Sequence, residues 1–183
     1  DQETVRFEEF YRATYPALRG YLLRRVADHA VAADALADTY TVVWRRRADL
    51  PAGDDARAWL FGVARNVLAN GRRSQRRQDE LTERLRLDVA RLHAVLPAAP
   101  SGAEAVAIRD ALGRLDQRDR EVLTLVAWEG LSREQLAVAL NCSRGTARVR
   151  LHRARRRFAE ALRREGVDTT AYVTYAQTQE VHP

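Results

Sequence analysis

The stretch from residue 131 to residue 157 constrains the fold of this chain more than any other part of the sequence. Ser132 followed three residues later by Gln135 forms a capping box, the signature of a helix N-terminus. Leu136 and Leu140 follow one helical turn apart, so they share the face that points into a domain core. The sequence therefore predicts a short helix that begins directly after Ser132.

A second helix is predicted after a short polar turn. Asn141-Cys142-Ser143 forms the turn, and Ser143 can cap the next helix. Two short helices joined in this way form a helix-turn-helix, whose second helix fits the major groove of DNA. Because guanidinium groups neutralise phosphates and bind guanine, arginines without interleaved acids favour DNA binding over a solvated basic face. Before Glu160 the second helix carries only basic charges: Arg144, Arg148, Arg150, Arg153, Arg155, Arg156 and Arg157.

Positive charge is concentrated in the same part of the chain. The net charge is +6, and all 31 basic residues are arginines. Residues 104–165 carry 14 arginines against nine acidic residues, whereas residues 1–73 carry 12 against ten. Residues 74–103 carry five against four, and residues 166–183 carry two acidic residues and no arginine. The field that attracts a nucleic acid is therefore strongest around the predicted helix-turn-helix.

Cysteine content and hydropathy indicate the compartment. Cys142 is the only cysteine, which excludes an intramolecular disulfide and favours a reducing compartment. The sequence contains no apolar run long enough to span a bilayer and no secretory signal pattern at its start. We therefore expect a cytoplasmic protein that does not insert into a membrane.

The sequence indicates neither a metal site nor a catalytic constellation. Cys142 and His152 lack the further ligands that a zinc site needs, and no nucleophile–base set or glycine-rich phosphate loop is recognisable. We therefore expect a protein without a metal, a cofactor or an enzymatic activity. The four histidines are scattered: His29, His93, His152 and His182.

Apolar residues at helical spacing predict three helices in residues 1–73. The first is expected to be broken or kinked at Pro16, and the second to run from about residue 28 to residue 47. The third follows a loop at residues 49–55 that ends in an N-cap aspartate, and it ends near Arg73. The expected inward residues are Phe7, Phe10, Tyr11, Thr14, Leu18, Tyr21, Leu22 and Val26 in the first helix, Leu36, Tyr40, Val43 and Trp44 in the second, and Leu60, Val63, Ala64, Val67 and Leu68 in the third.

The pattern divides the chain into four parts. A helical domain at 1–73 is followed by a polar, flexible linker at 74–103. A second helical domain with the helix-turn-helix occupies 104–165, and the tail at 166–183 is expected to be poorly ordered alone. The predicted fold class is all-α, with two small helical domains joined by a flexible linker.

Two helical domains in this order, the second with an arginine-rich helix-turn-helix, resemble the extracytoplasmic-function (ECF) class of bacterial sigma factors. The resemblance implies a dissociable subunit that gives RNA polymerase its promoter specificity and performs no chemistry itself. The partners that it implies are core RNA polymerase, promoter DNA and an anti-sigma factor. The matching segments lie at residues 34–44, 58–66, 72–73, 112–115, 120–125, 129–137 and 142–155.

The resemblance implies that the second helix docks on core polymerase. Asp34 and Asp38 would meet basic residues of the polymerase, and their neighbours would pack alongside. Trp44 is expected in the core of the bundle instead. Ala35 and Ala37 depart from the larger apolar residue and the glutamine that the family usually has there. The residues at docking positions are Asp34, Leu36, Asp38, Thr39 and Tyr40.

The resemblance also implies that the third helix, with the loop before it, opens and reads the −10 promoter region. Aromatic rings would stack on bases, arginines would hold the separated strand, and Asn66 would hydrogen-bond to a base edge. The loop at residues 49–55 would form the base pocket. One of Trp59 and Phe61 is expected in the core. The residues at −10 positions are Arg57, Trp59, Phe61, Arg65, Asn66, Arg72 and Arg73.

In the second domain the resemblance implies contacts to the −35 element. Arg148 lies about one turn inside the second helix, where base-reading residues occur. Val149 replaces a small polar residue of many relatives and could contact a thymine methyl group. Asp116 replaces a frequent proline between helices, which we expect to be a structural change. The residues at −35 positions are Ser143, Arg144, Thr146, Arg148, Val149, Arg150 and Arg153.

Two other functions are compatible with a helix-turn-helix. The first is a stand-alone transcription regulator that binds DNA as a dimer and has an N-terminal sensor domain. The segment from Trp59 to Asn66 argues against it, because a sensor domain needs no second DNA-reading surface. The second is an enzyme that acts on nucleic acid, which would need clustered carboxylates or a nucleophile beside the basic helix.

Overall fold

The computed structural model describes residues 2–82 and 103–167, and all regular structure within these two stretches is helical. The chain divides into two compact units, one built mainly by the helices of the first stretch and one mainly by those of the second. The all-α fold class with two helical domains is therefore confirmed. The predicted linker lies mostly outside the described residues, and so does the predicted tail after residue 167.

The N-terminal domain contains three α-helices. They are α1 (Gln2–Leu23), α2 (His29–Arg45) and α3 (Asp55–Thr82), with a short 3-10 helix at Arg47–Asp49 between α2 and α3. The Asp28 carboxylate caps α2 by accepting a hydrogen bond from the Ala30 backbone N–H at 2.7 Å.

Of the break or kink expected at Pro16, the break does not occur, because α1 continues through this residue. A proline removes one backbone donor and strains the preceding turn. The side of α1 that carries Leu18, Tyr21 and Leu22 is buried. Since most helical stability in proteins comes from such packing, a single missing hydrogen bond does not end the helix.

The limits of α3 also differ from the prediction. The helix continues from Arg73 to Thr82, where the sequence predicted the start of a linker. These residues lack an apolar stripe, but Gln, Arg, Glu and Leu have high intrinsic helix propensity. At the other end Asp55 is the first helical residue, not the N-cap.

The core of the N-terminal domain joins its three helices. The Tyr21 and Phe61 rings pack against each other at a tilt of 34° with centroids 5.0 Å apart, and both side chains are fully buried. A buried hydrogen bond of 3.0 Å joins the Thr14 and Tyr40 hydroxyls, and burial raises the pKa of Tyr40 to about 12. The other large buried residues are Leu18, Leu22, Val43, Leu60, Val63 and Leu68.

The C-terminal domain contains α4 (Ala103–Arg114), α5 (Gln117–Ala127), α6 (Arg133–Leu140) and α7 (Arg144–Arg164). Asp116 has the structural role expected of it, because its carboxylate caps α5 through the Asp119 backbone N–H at 2.8 Å. The long helix α7 packs against both α4 and α5.

The two helix starts of the predicted helix-turn-helix are confirmed. The Gln135 side chain accepts a hydrogen bond from the Ser132 backbone N–H at 2.8 Å, and the Ser132 hydroxyl accepts one from the Gln135 N–H at 3.2 Å. The Ser143 hydroxyl caps α7 by accepting from the Thr146 N–H at 3.1 Å. Between the two helices Asn141 adopts a φ of 48°, which asparagine tolerates better than most residues.

Arg120 joins two helices of this domain. Its guanidinium group donates hydrogen bonds to the carbonyl oxygens of Leu112, Gly113 and Leu115 at 2.9, 2.9 and 3.0 Å. The last carbonyl groups of a helix have no partner within the helix. Arg120 therefore closes the C-terminal end of α4 from the first turn of α5.

Candidate protein- and DNA-binding surfaces

The N-terminal half of α7 exposes the side chains that a DNA-reading helix needs. Ala147 and Leu151 are buried, whereas Val149 between them is 44% exposed. Successive residues are rotated by about 100° around a helix axis, so Val149 lies near the middle of the outward face. All seven residues predicted at −35 positions are exposed: Ser143, Arg144, Thr146, Arg148, Val149, Arg150 and Arg153.

Arg148 and Arg150 lie on opposite flanks of that face. Two residues correspond to about 200° of rotation, so the two side chains leave the helix in nearly opposite directions. Arg153 is rotated by only about 40° from Val149 and lies beside it. The predicted set is therefore exposed as a whole, but Arg148 and Arg150 cannot approach the same base edge.

Two further residues belong to this surface. A concavity of about 410 Å³ is lined by Arg133 of α6 and by Arg148, Val149, His152 and Arg153 of α7. The sequence interpretation did not assign Arg133 or His152 to any site. The sequence does indicate that His152 lies near the predicted −35 residues, because it follows Arg148 by four residues and so lies on the same side of the helix. For Arg133 no local pattern indicated the proximity.

Two arginines in the C-terminal half of α7, Arg156 and Arg157, have acidic partners within the protein. Arg157 donates to a carboxylate oxygen of Asp119 at 2.5 Å and lies 3.5 Å from one of Asp116. The hydrogen bond and the charge of Asp119 raise the pKa of Arg157. Arg156 lies 3.4 Å from Glu160 in an exposed ion pair. The unbroken arginine series of the sequence is therefore divided between two roles.

The exposed face of α2 carries the two predicted docking carboxylates, Asp34 and Asp38, whereas Leu36, two residues from each and so on nearly the opposite side of the helix, is half-buried. The assignment of Thr39 and Tyr40 to the docking surface is wrong. Thr39 is fully buried and donates a hydrogen bond to the Ala35 carbonyl at 2.6 Å, and Tyr40 is buried against Thr14.

Trp44 is not in the core, contrary to the prediction. Its side chain is 37% exposed, and its ring packs edge-on against Phe7 with centroids 4.9 Å apart. The Arg47 guanidinium lies 4.8 Å from the Trp44 ring centroid, and Arg47 also pairs with Glu3 at 2.8 Å. Trp44 therefore covers the edge of the domain between α1 and α2 and remains accessible.

The predicted −10 surface contains one residue that cannot stack on a base. Phe61 is only 1% exposed, which confirms that one of the two aromatic residues is in the core. Trp59 is half-buried, and the Arg46 guanidinium lies 5.5 Å from its ring centroid. Arg46 is in turn held at 3.0 Å from Asp49. The sequence interpretation missed Arg46, whose proximity to Trp59 depends on the turn between α2 and α3.

The remaining predicted −10 residues lie along α3. Arg57, Asn66 and Arg73 are exposed, and Arg65 and Arg72 are half-buried. The Arg57 guanidinium lies 5.4 Å from the Phe61 ring centroid, so it covers the buried ring from the solvent side. Cationic and amide groups are thus distributed along this helix over about four turns.

Comparison with known proteins relates both domains to one family. The model for Sigma-70 region 2 matches residues 10–78, and the model for Sigma-70, region 4 matches residues 105–158. RNA polymerase sigma factor CarQ of Myxococcus xanthus is 31% identical over 156 residues, which cover 85% of this chain and 88% of CarQ. ECF RNA polymerase sigma factor SigL of Mycobacterium tuberculosis is 31% identical over 150 residues, which cover 80% and 83%. This chain belongs to the ECF sigma factors.

The solved structures include a similar sigma factor. RpoE of Bartonella quintana, crystallised with the anti-sigma factor NepR, matches with a TM-score of 0.64 and 27% identity. The match covers 86% of this ECF sigma factor and 96% of the RpoE chain. Since residues 10–78 match a sigma-factor region, a sensor domain at the N-terminus is not favoured.

The described residues of this ECF sigma factor contain neither a membrane-spanning helix nor a metal-binding cluster. Among the helices of residues 2–82 and 103–167, none combines the length and the apolar character needed to cross a bilayer. Among the described side chains, no three of His, Cys, Asp or Glu come together in a group that could hold a metal ion.

Proposed function

We propose that this ECF sigma factor binds core RNA polymerase and directs it to promoters by recognising a −10 and a −35 element. The observation that carries the proposal is the presence of both sigma regions in one chain, the second with an outward arginine face on α7. The protein acts in the cytoplasm as an initiation factor and contributes no catalytic step of its own.

Docking on polymerase is assigned to the exposed side of α2. Asp34 and Asp38 lie one turn apart and present two carboxylates to the same side, with Leu36 at the edge of the core. Charged pairs at an interface contribute mostly to the rate and the specificity of association. We therefore assign the two carboxylates to basic residues of the polymerase, and we exclude the buried Thr39 and Tyr40 from the contact.

Recognition of the −10 element is assigned to α3 and the turn before it. Trp59 offers a partly exposed ring, and Arg46 extends this surface with a planar cation on which a base can stack. Arg57, Asn66 and Arg73 provide phosphate and base-edge contacts along the helix. Phe61 supports this surface from inside the domain instead of contacting DNA.

Recognition of the −35 element is assigned to the outward face of α7. Val149 at its middle can contact a thymine methyl group, and Arg148 and Arg153 beside it can form bidentate bonds with guanine. Arg144 and Thr146 lie in the first turn, where backbone N–H groups also favour a phosphate.

An anti-sigma factor is the third proposed partner. RpoE of Bartonella quintana, whose fold is similar, was crystallised with the anti-sigma factor NepR. We assign a partner of the same class to this chain, with the accessible Trp44 and the Asp34–Asp38 side of α2 as the surfaces that it would cover.

The experiment that tests the function is reconstituted transcription. Core polymerase with this protein is expected to initiate at a defined promoter that core polymerase alone ignores, and the free protein should bind the same duplex only weakly. The two reading surfaces lie on separate domains, so the polymerase must fix their spacing. Tight binding of the free protein to a palindrome as a dimer, without initiation, would show a stand-alone regulator instead.

The docking surface has its own test with a matched control. Replacing both Asp34 and Asp38 by Arg is expected to weaken core binding strongly, because each introduced cation faces the polymerase cations. The control replaces Asp54 and Asp55, at the start of α3, by Arg. Equal affinity of both double variants for core polymerase, at wild-type helicity, would reject the α2 surface.

A further inference from the structure

The C-terminal domain has a partly exposed apolar patch between α4 and α7. Ile108, Phe158 and Val167 form this patch, and all three side chains are half-buried and pack on the same buried cluster. Phe158 follows Val149 by nine residues, which corresponds to about 180° of rotation around the helix axis. The α4–α7 patch and the DNA-reading face therefore lie on opposite sides of α7. The residues of the buried cluster are Ala111, Ala161 and Leu162.

The chain itself leads into this patch at the end of α7. Gly166 adopts a φ of 76°, a conformation that glycine adopts without strain. Its N–H donates to the Arg163 carbonyl at 3.1 Å, and the Val167 N–H donates to the Leu162 carbonyl at 3.2 Å. These two bonds form a Schellman motif, which ends a helix and turns the chain away from its axis. Because the Val167 side chain is part of the patch, the residues after it start within the patch.

Charge favours the tail, residues 168–183, as the occupant of the patch. The tail carries two acidic residues and no arginine, whereas residues 104–165 carry 14 arginines against nine acidic residues. Asp168, one of the two acids, directly follows Val167. Two exposed arginines, Arg109 and Arg163, are sequence neighbours of residues in the patch and its cluster. Complementary charges of this kind favour a contact between the tail and this side of the domain.

The tail also contains an apolar segment within reach of the patch. Residues 171–175 read Ala-Tyr-Val-Thr-Tyr, and tyrosine, valine and threonine favour an extended backbone. Alternate side chains of an extended segment share one face, so Val173 and Tyr175 lie on one side and Tyr172 and Thr174 on the other. The six residues from Val167 to Val173 span up to about 20 Å, which exceeds the length of α4, about 18 Å. The segment can therefore reach any part of the surface between α4 and α7.

We propose that residues 171–175 fold back onto the α4–α7 patch as an extended segment, with Val173 and Tyr175 against Ile108 and Phe158. A tyrosine ring covers apolar area while its hydroxyl stays in water. The docked tail shields this edge of the domain core and leaves the opposite face of α7 open to DNA. A protein that binds the α4–α7 patch has to displace the tail, so the tail controls access to this surface. This role is independent of promoter recognition.

The test compares two double variants of the full chain by native-state hydrogen exchange. Val173→Asp with Tyr175→Asp places two carboxylates on the docking side, and exchange in α4 and the last turn of α7 is expected to become about tenfold faster. The matched control, Tyr172→Asp with Thr174→Asp, adds the same charge on the other side of the segment and should exchange at the wild-type rate. Neither pair alters a core side chain of the domain, so both variants retain the fold.

Two further measurements identify the occupant of the patch. A nitroxide label is attached through Thr174→Cys in a Cys142→Ser background, and it should broaden the backbone amide signals of Ile108 and Ala111 but not that of Val149. Hydrogen exchange of α4 should also be independent of protein concentration, because the tail belongs to the same chain.

Unchanged exchange in the variant with Val173→Asp and Tyr175→Asp, or equal acceleration in both double variants, overturns the proposal. Protection of α4 that rises with protein concentration would assign the patch to a second copy of the chain. Broadening of Val149 instead of Ile108 would place the tail on the reading face, and either result also overturns the proposal. None of these measurements includes polymerase or DNA, so a failure of the proposed function would not affect their outcome.

Discussion

The two halves of α7 contain similar numbers of arginines but use them in opposite ways. In the N-terminal half, residues 144–153, the arginines are exposed around Val149 and have no acidic residue within that half. In the C-terminal half, residues 154–164, Arg157 is bound by Asp119, and Arg156 is paired with Glu160. The role of an arginine on this helix thus depends on the acidic residues beside it, which come from α5 for Arg157 and from α7 itself for Arg156.

The corner between α4 and α5 provides the partners of Arg157. Asp116 and Asp119 bind the Arg157 guanidinium. Arg114 of α4 forms an ion pair of 2.5 Å with Glu165 at the end of α7. Arg120 of α5 donates hydrogen bonds to the carbonyl groups at the end of α4. This corner and the C-terminal half of α7 form the scaffold of the domain. The N-terminal half of α7 extends from this scaffold, and its outward face remains exposed for contact with DNA.

The largest expected effect comes from breaking the scaffold at Arg120. Arg120→Ala leaves three carbonyl groups at the end of α4 without their donor, and we expect a loss of about 2–3 kcal/mol in the stability of the C-terminal domain. Native-state hydrogen exchange of α4–α7 in the full chain measures this loss. Arg118→Ala, two residues earlier and exposed, is the control. A similar loss in both variants would mean that the three hydrogen bonds contribute little.

The next effect concerns the reading face. Arg148→Ala is expected to reduce discrimination at one −35 base pair by about 1–3 kcal/mol and to leave the other positions unchanged. Relative initiation rates at promoters with single −35 substitutions measure this discrimination. A uniform loss at every position would instead identify Arg148 as a phosphate contact. Arg150→Ala sharpens the comparison, because it acts from the opposite flank and should not affect the same base pair.

Removal of Arg157 should affect stability but not base preference. Arg157→Ala leaves Asp119, which is 8% exposed, without its hydrogen-bond donor. We expect a smaller loss of stability than for Arg120→Ala, and a non-additive double-mutant cycle with Asp119→Ala. A changed preference at a single −35 base pair would place Arg157 in the groove and remove the distinction between the two halves.

The smallest expected effect is that of Arg156, which follows Val149 by two helical turns on the same side of α7 and, because its ion pair with Glu160 is exposed, can still approach a DNA phosphate from the scaffold half. Arg156→Ala is expected to lower the slope of log affinity against log salt by about one unit, with the preference at every −35 position retained. Arg163→Ala, nearer the end of α7, is the matched control and should leave the slope unchanged. Promoter titrations with holoenzyme at several salt concentrations distinguish the two variants.

Local features of the sequence predicted the structure best. The capping box at Ser132 and Gln135 and the cap at Ser143 involve residues three positions apart, so the sequence contains the whole interaction. Periodicity also found the buried residues Thr14, Leu18, Tyr21 and Leu22 of α1, although Tyr11, expected on the same face, is exposed. Proline chemistry alone could not decide whether α1 breaks at Pro16, because the packing that maintains the helix comes from elsewhere in the domain.

The candidate site was less predictable, because periodicity does not resolve the boundary between a buried and an exposed face. Thr39, Tyr40 and Phe61 lie on the buried side of that boundary, and Trp44 lies on the exposed side. The pair of Arg157 and Asp119 joins residues 38 positions apart, which no local pattern can indicate. For the same reason the sequence did not place Arg133 beside His152.

A photocrosslinking measurement tests the division of α7 most directly. A photoreactive phenylalanine derivative replaces Val149 in one protein and Arg164 in another, and each is irradiated on promoter DNA with and without core polymerase. Position 149 is expected to crosslink to bases of the −35 element only when the polymerase is present, and position 164 should give no crosslink to that element. Crosslinks to the −35 bases from position 164, with none from position 149, would contradict the assignment of the reading face.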